Sequence, residues 1–171
     1  MGWNTFKKHF NIGHIVQIRE RDLLIGSPYI SDLAAISMDT GMIKKRDHSS
    51  LHARFLREYY SPLSDAMPSE LEALLDAEDT FTQSIPVYTY EGLRISTKYC
   101  EEIGYPNVTH DGWLMYDNTF LTDIEAVVEM AILERVSRLE NLRERITERS
   151  KELQELQDKL ALLEKEEIVF E

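Results

Sequence analysis

Glycine and proline are scarce in this chain, with seven and five copies, and neither occurs after Gly112. The C-terminal third therefore offers no break or reversal to a helix. Cysteine is nearly absent too: Cys100 stands alone, which excludes an internal disulfide framework and fits a reducing cytosol. There is no apolar run of 18 residues or more, and the basic Lys7, Lys8 and His9 lead only into a short mixed stretch. Neither a spanning helix nor a signal peptide is implied, so the expectation is a cytoplasmic protein, with no membrane partner. Also missing are a glycine-rich phosphate loop, a nucleophile elbow, a Cys-x-x-Cys pair and a His-Glu-x-x-His sequence. No cofactor is implied.

What is present is a helix pattern from Thr122 to Glu167. Thr122 with Glu125 three residues on reads as a capping box, and Asp123 and Glu125 suit the positive end of the helix dipole. Heptads follow directly. Ile132, Leu139, Ile146, Leu153 and Leu160 take position a; Val128, Leu142, Leu156 and Leu163 take position d, with Arg135 and Arg149 interrupting that row. This is coiled-coil spacing. About 45 residues at ~1.5 Å each span roughly 65–70 Å, while a compact domain of the preceding residues measures about 35 Å across. The helix must overhang, and an exposed leucine seam calls for a cover. A homodimeric coiled coil over 122–171, on a head over 1–121, is the expected arrangement. Parallel pairing would set Arg135 and Arg149 against their own copies and Arg138 against Arg143. Antiparallel pairing avoids this and is favoured.

Charge is uneven. Residues 1–60 hold nine Lys or Arg against six Asp or Glu; residues 61–123 hold two against twelve; residues 124–171 hold eight against thirteen. The acidic middle and tail argue against a general phosphate-binding surface and would suit a basic partner or mimicry of nucleic acid, though solvated acidity for solubility is the commoner reason.

The head reads as α+β: a small antiparallel β-sheet with short helices. Trp3, Phe6 and Phe10 suit a short helix or arm. Strand-like runs at His14–Ile18, Leu23–Ile25 and Leu33–Met38 are separated by turn chemistry, and Asp39-Thr-Gly41 turns the third into Met42-Ile43. Ser49 or Ser50 can cap a helix with Leu51, Phe55, Leu56 and Tyr59 on one face, ended by Pro62. Pro68 suits the first turn of a second helix, with Leu71, Leu74 and Leu75 inward. Pro86–Tyr90 and Leu93–Thr97 flank Glu91-Gly92 as a hairpin. Val108-Thr109 and Trp113–Tyr116 suggest another.

The stretch from Val108 through His110-Asp111-Gly112-Trp113 to Asp123, running into an acidic coiled coil, resembles small phage- or prophage-encoded accessory proteins of unassigned role. The resemblance covers about the last third of the chain and implies a phage origin, with a host or phage protein as partner. It transfers no active-site residue.

Three function classes follow. The favoured one is a non-enzymatic interaction protein that oligomerises through Val128, Ile132, Leu139, Leu142, Ile146, Leu153, Leu156, Leu160 and Leu163. It would bind, and could inhibit, a protein partner, with Tyr59, Tyr60, Tyr88, Tyr90 and Tyr105 as candidate contacts. The first alternative is a nucleic-acid-binding regulator using Lys7, Lys8, Lys44, Lys45 and Arg46, with Trp3 and Phe6 as stacking platforms. The second is a small hydrolase or metal-dependent enzyme. His48 and His52 share a helix face at i, i+4 but lack a third ligand. His110 beside Asp111 reads more simply as a turn, and Glu101 and Glu102 would join it only if the fold brought them together. No catalytic or metal residue is assigned.

Overall fold

The computed structural model describes residues 1–44 and 49–165. It is an α+β head carrying one long helix. α1 (Trp3–His9) buries Trp3 and Phe6, one turn apart, and Phe6 meets Phe10 ring to ring at 5.0 Å. The expected meander follows as β1 (Ile15–Arg19), β2 (Asp22–Gly26) and β3 (Ala34–Ser37), antiparallel in that order. Ile18 pairs with Leu23, and Leu23 with Ile36, so apolar residues meet across the sheet. After β3 the chain turns through Gly41, and Ile43 bridges back to Ile36.

Three helices follow rather than the two expected. α2 (Ser49–Tyr59) turns Phe55 and Leu56 inward. Tyr59, assigned to the same inward face, is 63% exposed. Its neighbour Tyr60, named as an exposed contact, is buried instead, with its hydroxyl 2.5 Å from His14 Nδ1. Pro62 does not simply end α2; it sits in the first turn of α3 (Ser61–Asp65), which plants Leu63 in the core. A missing N–H costs nothing in a first turn. α4 (Pro68–Asp76) buries Leu71 and Leu75 as expected. The sheet and these helices enclose one main core around Phe6, Val16, Leu23, Ile25, Ile36, Leu63, Leu71 and Leu75.

β4 (Ile85–Glu91) and β5 (Arg94–Cys100) form the second sheet, a hairpin. Glu91 pairs with Arg94, so the turn residues are Gly92-Leu93, one place beyond Glu91-Gly92. Gly92 takes the left-handed conformation at φ +62° that the tight turn requires. The hairpin has its own small core of Val87, Cys100 and Met115.

Residues 108–121 tie everything together. Thr109, fully buried, bridges to Cys100; the Gly112 carbonyl accepts from Ile18 N–H at 2.7 Å; and the Trp3 indole donates to the His110 carbonyl at 2.9 Å. The hairpin expected of Val108-Thr109 with Trp113–Tyr116 is present only as a short ladder: Val108 bridges Leu114, Thr109 N–H donates to the Trp113 carbonyl at 2.8 Å and Met115 N–H to the Asn107 carbonyl at 2.9 Å. Its backbone is also used on β1, β5 and α1. Leu121 then pairs with Tyr88 in both directions, at 2.7 and 3.0 Å. Three residues later α5 (Ile124–Leu163) begins. The head passes into the helix with no loose linker.

Candidate functional site: the exposed seam of the long helix

α5 runs 40 residues, about 60 Å. Its cap is Asp123, not Thr122: the Asp123 carboxylate accepts from Glu125 N–H at 2.9 Å, which places Glu125 in the first turn rather than at the end of a capping box. Either residue can cap; the Leu121 bridge to β4 carries the extended backbone past Thr122.

The helix docks on the head through a stripe that heptad counting passed over. Val127 and Ala131 are 1% and 3% exposed, and α5 runs alongside β4. One and two turns further on, Glu134 holds the Tyr90 hydroxyl, and Glu134 and Arg138 pair at 3.5 Å. The hydrogen bond to the Glu134 carboxylate raises the Tyr90 pKa, because the phenol is the donor and must keep its proton. Tyr90, a candidate partner contact in sequence, is therefore engaged inside the molecule. Arg135, Arg138, Leu139 and Leu142 line a groove with Gly92 and Leu93, so the hairpin tip reaches the level of Leu142. The signal for this stripe was its spacing: small apolar, small apolar, then polar at 127, 131, 134 and 138.

The seam itself lies on the flank and beyond. Every described residue from 132 to 165 is exposed. The nine seam residues range from 40% exposed at Val128 to 65% at Leu156, with Val128 and Leu139 the most sheltered and Ile132 and Leu142 next. Leu133, Val136 and Leu162, outside the a and d rows, are exposed as well. Past Leu142 the helix stands clear for about 30 Å. Its charged faces are laced by Arg149–Glu152 at 2.6 Å and Lys151–Glu155 at 4.0 Å. Such pairs hold the helix straight by only about 0.3–0.5 kcal/mol each. No helix among the described residues is long and apolar enough to cross a membrane.

The alternative sites fare differently. Lys7 and Lys8 line a groove with Glu101 and Glu102, while Lys44 is ion-paired to Asp22 at 2.6 Å. Trp3 and Phe6, offered as stacking platforms, are buried in the core. Lys45 and Arg46 lie outside the described residues, as do His48 and the side chain of His52. His110 does not face Asp111: its ring stacks on Phe81 at 3.7 Å, while Asp111 takes Lys98 and the Thr109 hydroxyl. Among the described residues, no three His, Cys, Asp or Glu converge as metal ligands. Burial raises the Cys100 pKa, leaving a neutral thiol against the Ile85 carbonyl.

The fold brings Glu101 within electrostatic reach of His110, and its carboxylate also holds two segments together. Its carboxylate accepts from the Thr82 N–H and, at 2.9 Å, from the Thr82 hydroxyl, tying the loop before β4 to the end of β5. The Thr82 backbone bond is the main reason its pKa is lowered. A lowered folded value means stability present above the ordinary pKa near ~4.3 and lost as pH falls below it. The urea midpoint of Glu101→Gln should therefore lie below that of the parent at pH 6, and the gap should close by pH 3. A gap that widens on acidification would contradict the assignment.

Comparison with known proteins adds no relative to set beside this geometry: no family model, no curated protein and no solved structure matches the chain.

Proposed function

We propose that this chain is a non-enzymatic interaction protein that self-associates through α5 and presents its head to a protein partner. One observation carries the reading: a helix projects past its own domain with an aliphatic seam, broken only at Arg135 and Arg149, open to water. An uncovered seam of this kind favours association, since each fully buried Leu or Ile contributes about 1.5–3 kcal/mol. Self-association is the simplest source of a matching seam, and it makes the active species a dimer. In the phage reading the dimer works in the host cytoplasm on a host or phage protein.

On the head, Trp113 and Tyr116 are half exposed, Tyr105 stacks on Tyr116 at 5.6 Å, and Lys98 lies over the Trp113 ring at 4.6 Å. Half-exposed Trp and Tyr rings are what protein interfaces favour. Light scattering at micromolar concentration should give twice the 20.0 kDa chain mass; a strict monomer would refute the reading. Trp113→Ala should leave that mass unchanged while sharply reducing capture of a partner from host lysate. Equal capture by the variant would move the contact elsewhere on the head.

A further inference from the structure

We infer that the second copy docks antiparallel on the overhanging half of α5 alone, in the register that sets Leu153 opposite Leu156. This rests on the self-association proposed above and adds its orientation, register and extent. Two observations select it: where the head stops and how the flanking charges fall.

In an antiparallel pair each a residue faces a d residue of the other copy, and the flanks meet g against g and e against e. Leu153 can therefore face Val128, Arg135, Leu142, Arg149, Leu156 or Leu163 of the second copy; Val128 would set Arg138 against Arg145, and Leu163 would set Lys159 against its own copy. With Arg135 opposite, Arg143 and Arg145 each meet their own copies. With Leu142 opposite, Arg138 meets Lys159 and Glu129 meets Glu164. With Arg149 opposite, Arg145 meets Lys159 and Glu152 meets itself. With Leu156 opposite, the described flanking charges are complementary: Arg143 meets Glu164 and Glu152 meets Lys159, each twice by symmetry. Ile146 then packs on Leu163, and Arg149 sits opposite Leu160. Arg149 is already drawn to the side by Glu152 on its own helix, which leaves its aliphatic stem over the seam.

The same register matches the shape of one chain. Leu163 of the second copy comes level with Ile146, one turn beyond the hairpin tip at Leu142. Within the described residues the two helices then overlap only on their overhangs, with the heads at opposite ends of a short shared rod. Placing Leu142 opposite Leu153 would instead drive each helix end along the other copy's hairpin.

Spin labels on the outer face test this, with the full chain and single Glu144→Cys or Asp158→Cys substitutions; Cys100 is fully buried and does not compete. The two labels at 144 should be offset along the axis by about 30 Å and those at 158 by about 10 Å, at ~1.5 Å per residue. No axial offset at either position means a parallel pair, and the reverse order means the longer antiparallel overlap; either overturns the register while leaving a dimer. A labelled chain that weighs as a monomer overturns the self-association itself. Arg143→Glu provides an independent measure. In this register it sets like charges against Glu164 twice and should weaken dimerisation about tenfold at low salt, with recovery on adding Glu164→Arg. A parallel pair would be tightened by Arg143→Glu, because Arg138 would lose a like-charged neighbour.

Discussion

Replacing Gly41 by alanine should destabilise the head by about 3–5 kcal/mol, at the far end of what a single methyl can do. Gly41 follows β3 at φ +62°, and a Cβ there would lie 2.0 Å from the Pro68 carbonyl oxygen and 2.7 Å from the Glu72 nitrogen. Both atoms are backbone of α4. They cannot rotate aside as a side chain would, so the helix must move. α4 carries Leu71 and Leu75, 1% and 2% exposed, into the main core, and any shift that admits the methyl opens that packing. Gly92 supplies the control. It holds the same φ of +62° at the hairpin tip with nothing within 4 Å of its would-be Cβ. Gly92→Ala should cost only the left-handed penalty, about 1–2 kcal/mol. Urea denaturation of both variants separates the clash from the backbone strain, and equal losses would dismiss the close approach as a cause.

The same pair of glycines shows what could be read from the chain and what could not. Both turns were legible, because turn chemistry is local: Asp39-Thr-Gly41 ends one apolar run, and Gly92 sits between two alternating ones. That Gly41 also meets a helix more than 25 residues away has no local signature. The three strands of the meander, the hairpin and the long helix all follow from periodicity and punctuation, and all are present. The misreadings share one origin, which is competition from distant partners. Pro62 looked like a terminator, yet Leu63 has a place in the core and a new helix starts around it. Trp113–Tyr116 has the composition of a strand but forms only a short ladder, because its neighbours' backbone groups are claimed by β1 and β5. Tyr60, expected exposed, is buried because its hydroxyl is held by the backbone N–H and ring of His14, some 46 residues earlier, while Tyr59, placed on the inward face of its helix, stays exposed. Boundary shifts of one residue, at Asp123 and at Gly92-Leu93, lie within the tolerance of any such reading.

For the candidate site the division is sharper. The seam was fully legible, since a and d spacing is a property of one helix. Which part of it stands free was not, because that depends on how far the β4–β5 tip reaches along α5. Val127 and Ala131 settle the point: the head takes one face of the helix near its start and leaves the seam on the flank. The seam residues are therefore exposed rather than part of the head's core. A protein that used these leucines for its own core would bury them here, and it does not.

Changing Leu142, Ile146 and Leu153 together to serine should therefore separate association from folding. All three are more than half exposed in the single chain, so the head should keep its unfolding midpoint to within about 0.5 kcal/mol. In the dimer the loss counts twice, once on each helix. Ile146 and Leu153 alone remove four aliphatic partners from the central layers of the overhang. At about 1.5–3 kcal/mol for a fully buried side chain, discounted by half for seam positions that keep an edge in water, the loss is roughly 3–6 kcal/mol. That corresponds to a dissociation constant raised by about two to four orders of magnitude. Light scattering should show the 20.0 kDa chain mass for the variant where the parent shows twice that value. The free overhang should also fray, since an isolated helix of some 20 residues is only marginally stable in water. Helical signal should fall together with mass. Undiminished mass would remove the seam as the interface. Loss of the head's cooperative unfolding would instead show that the leucines serve the fold, contrary to their exposure.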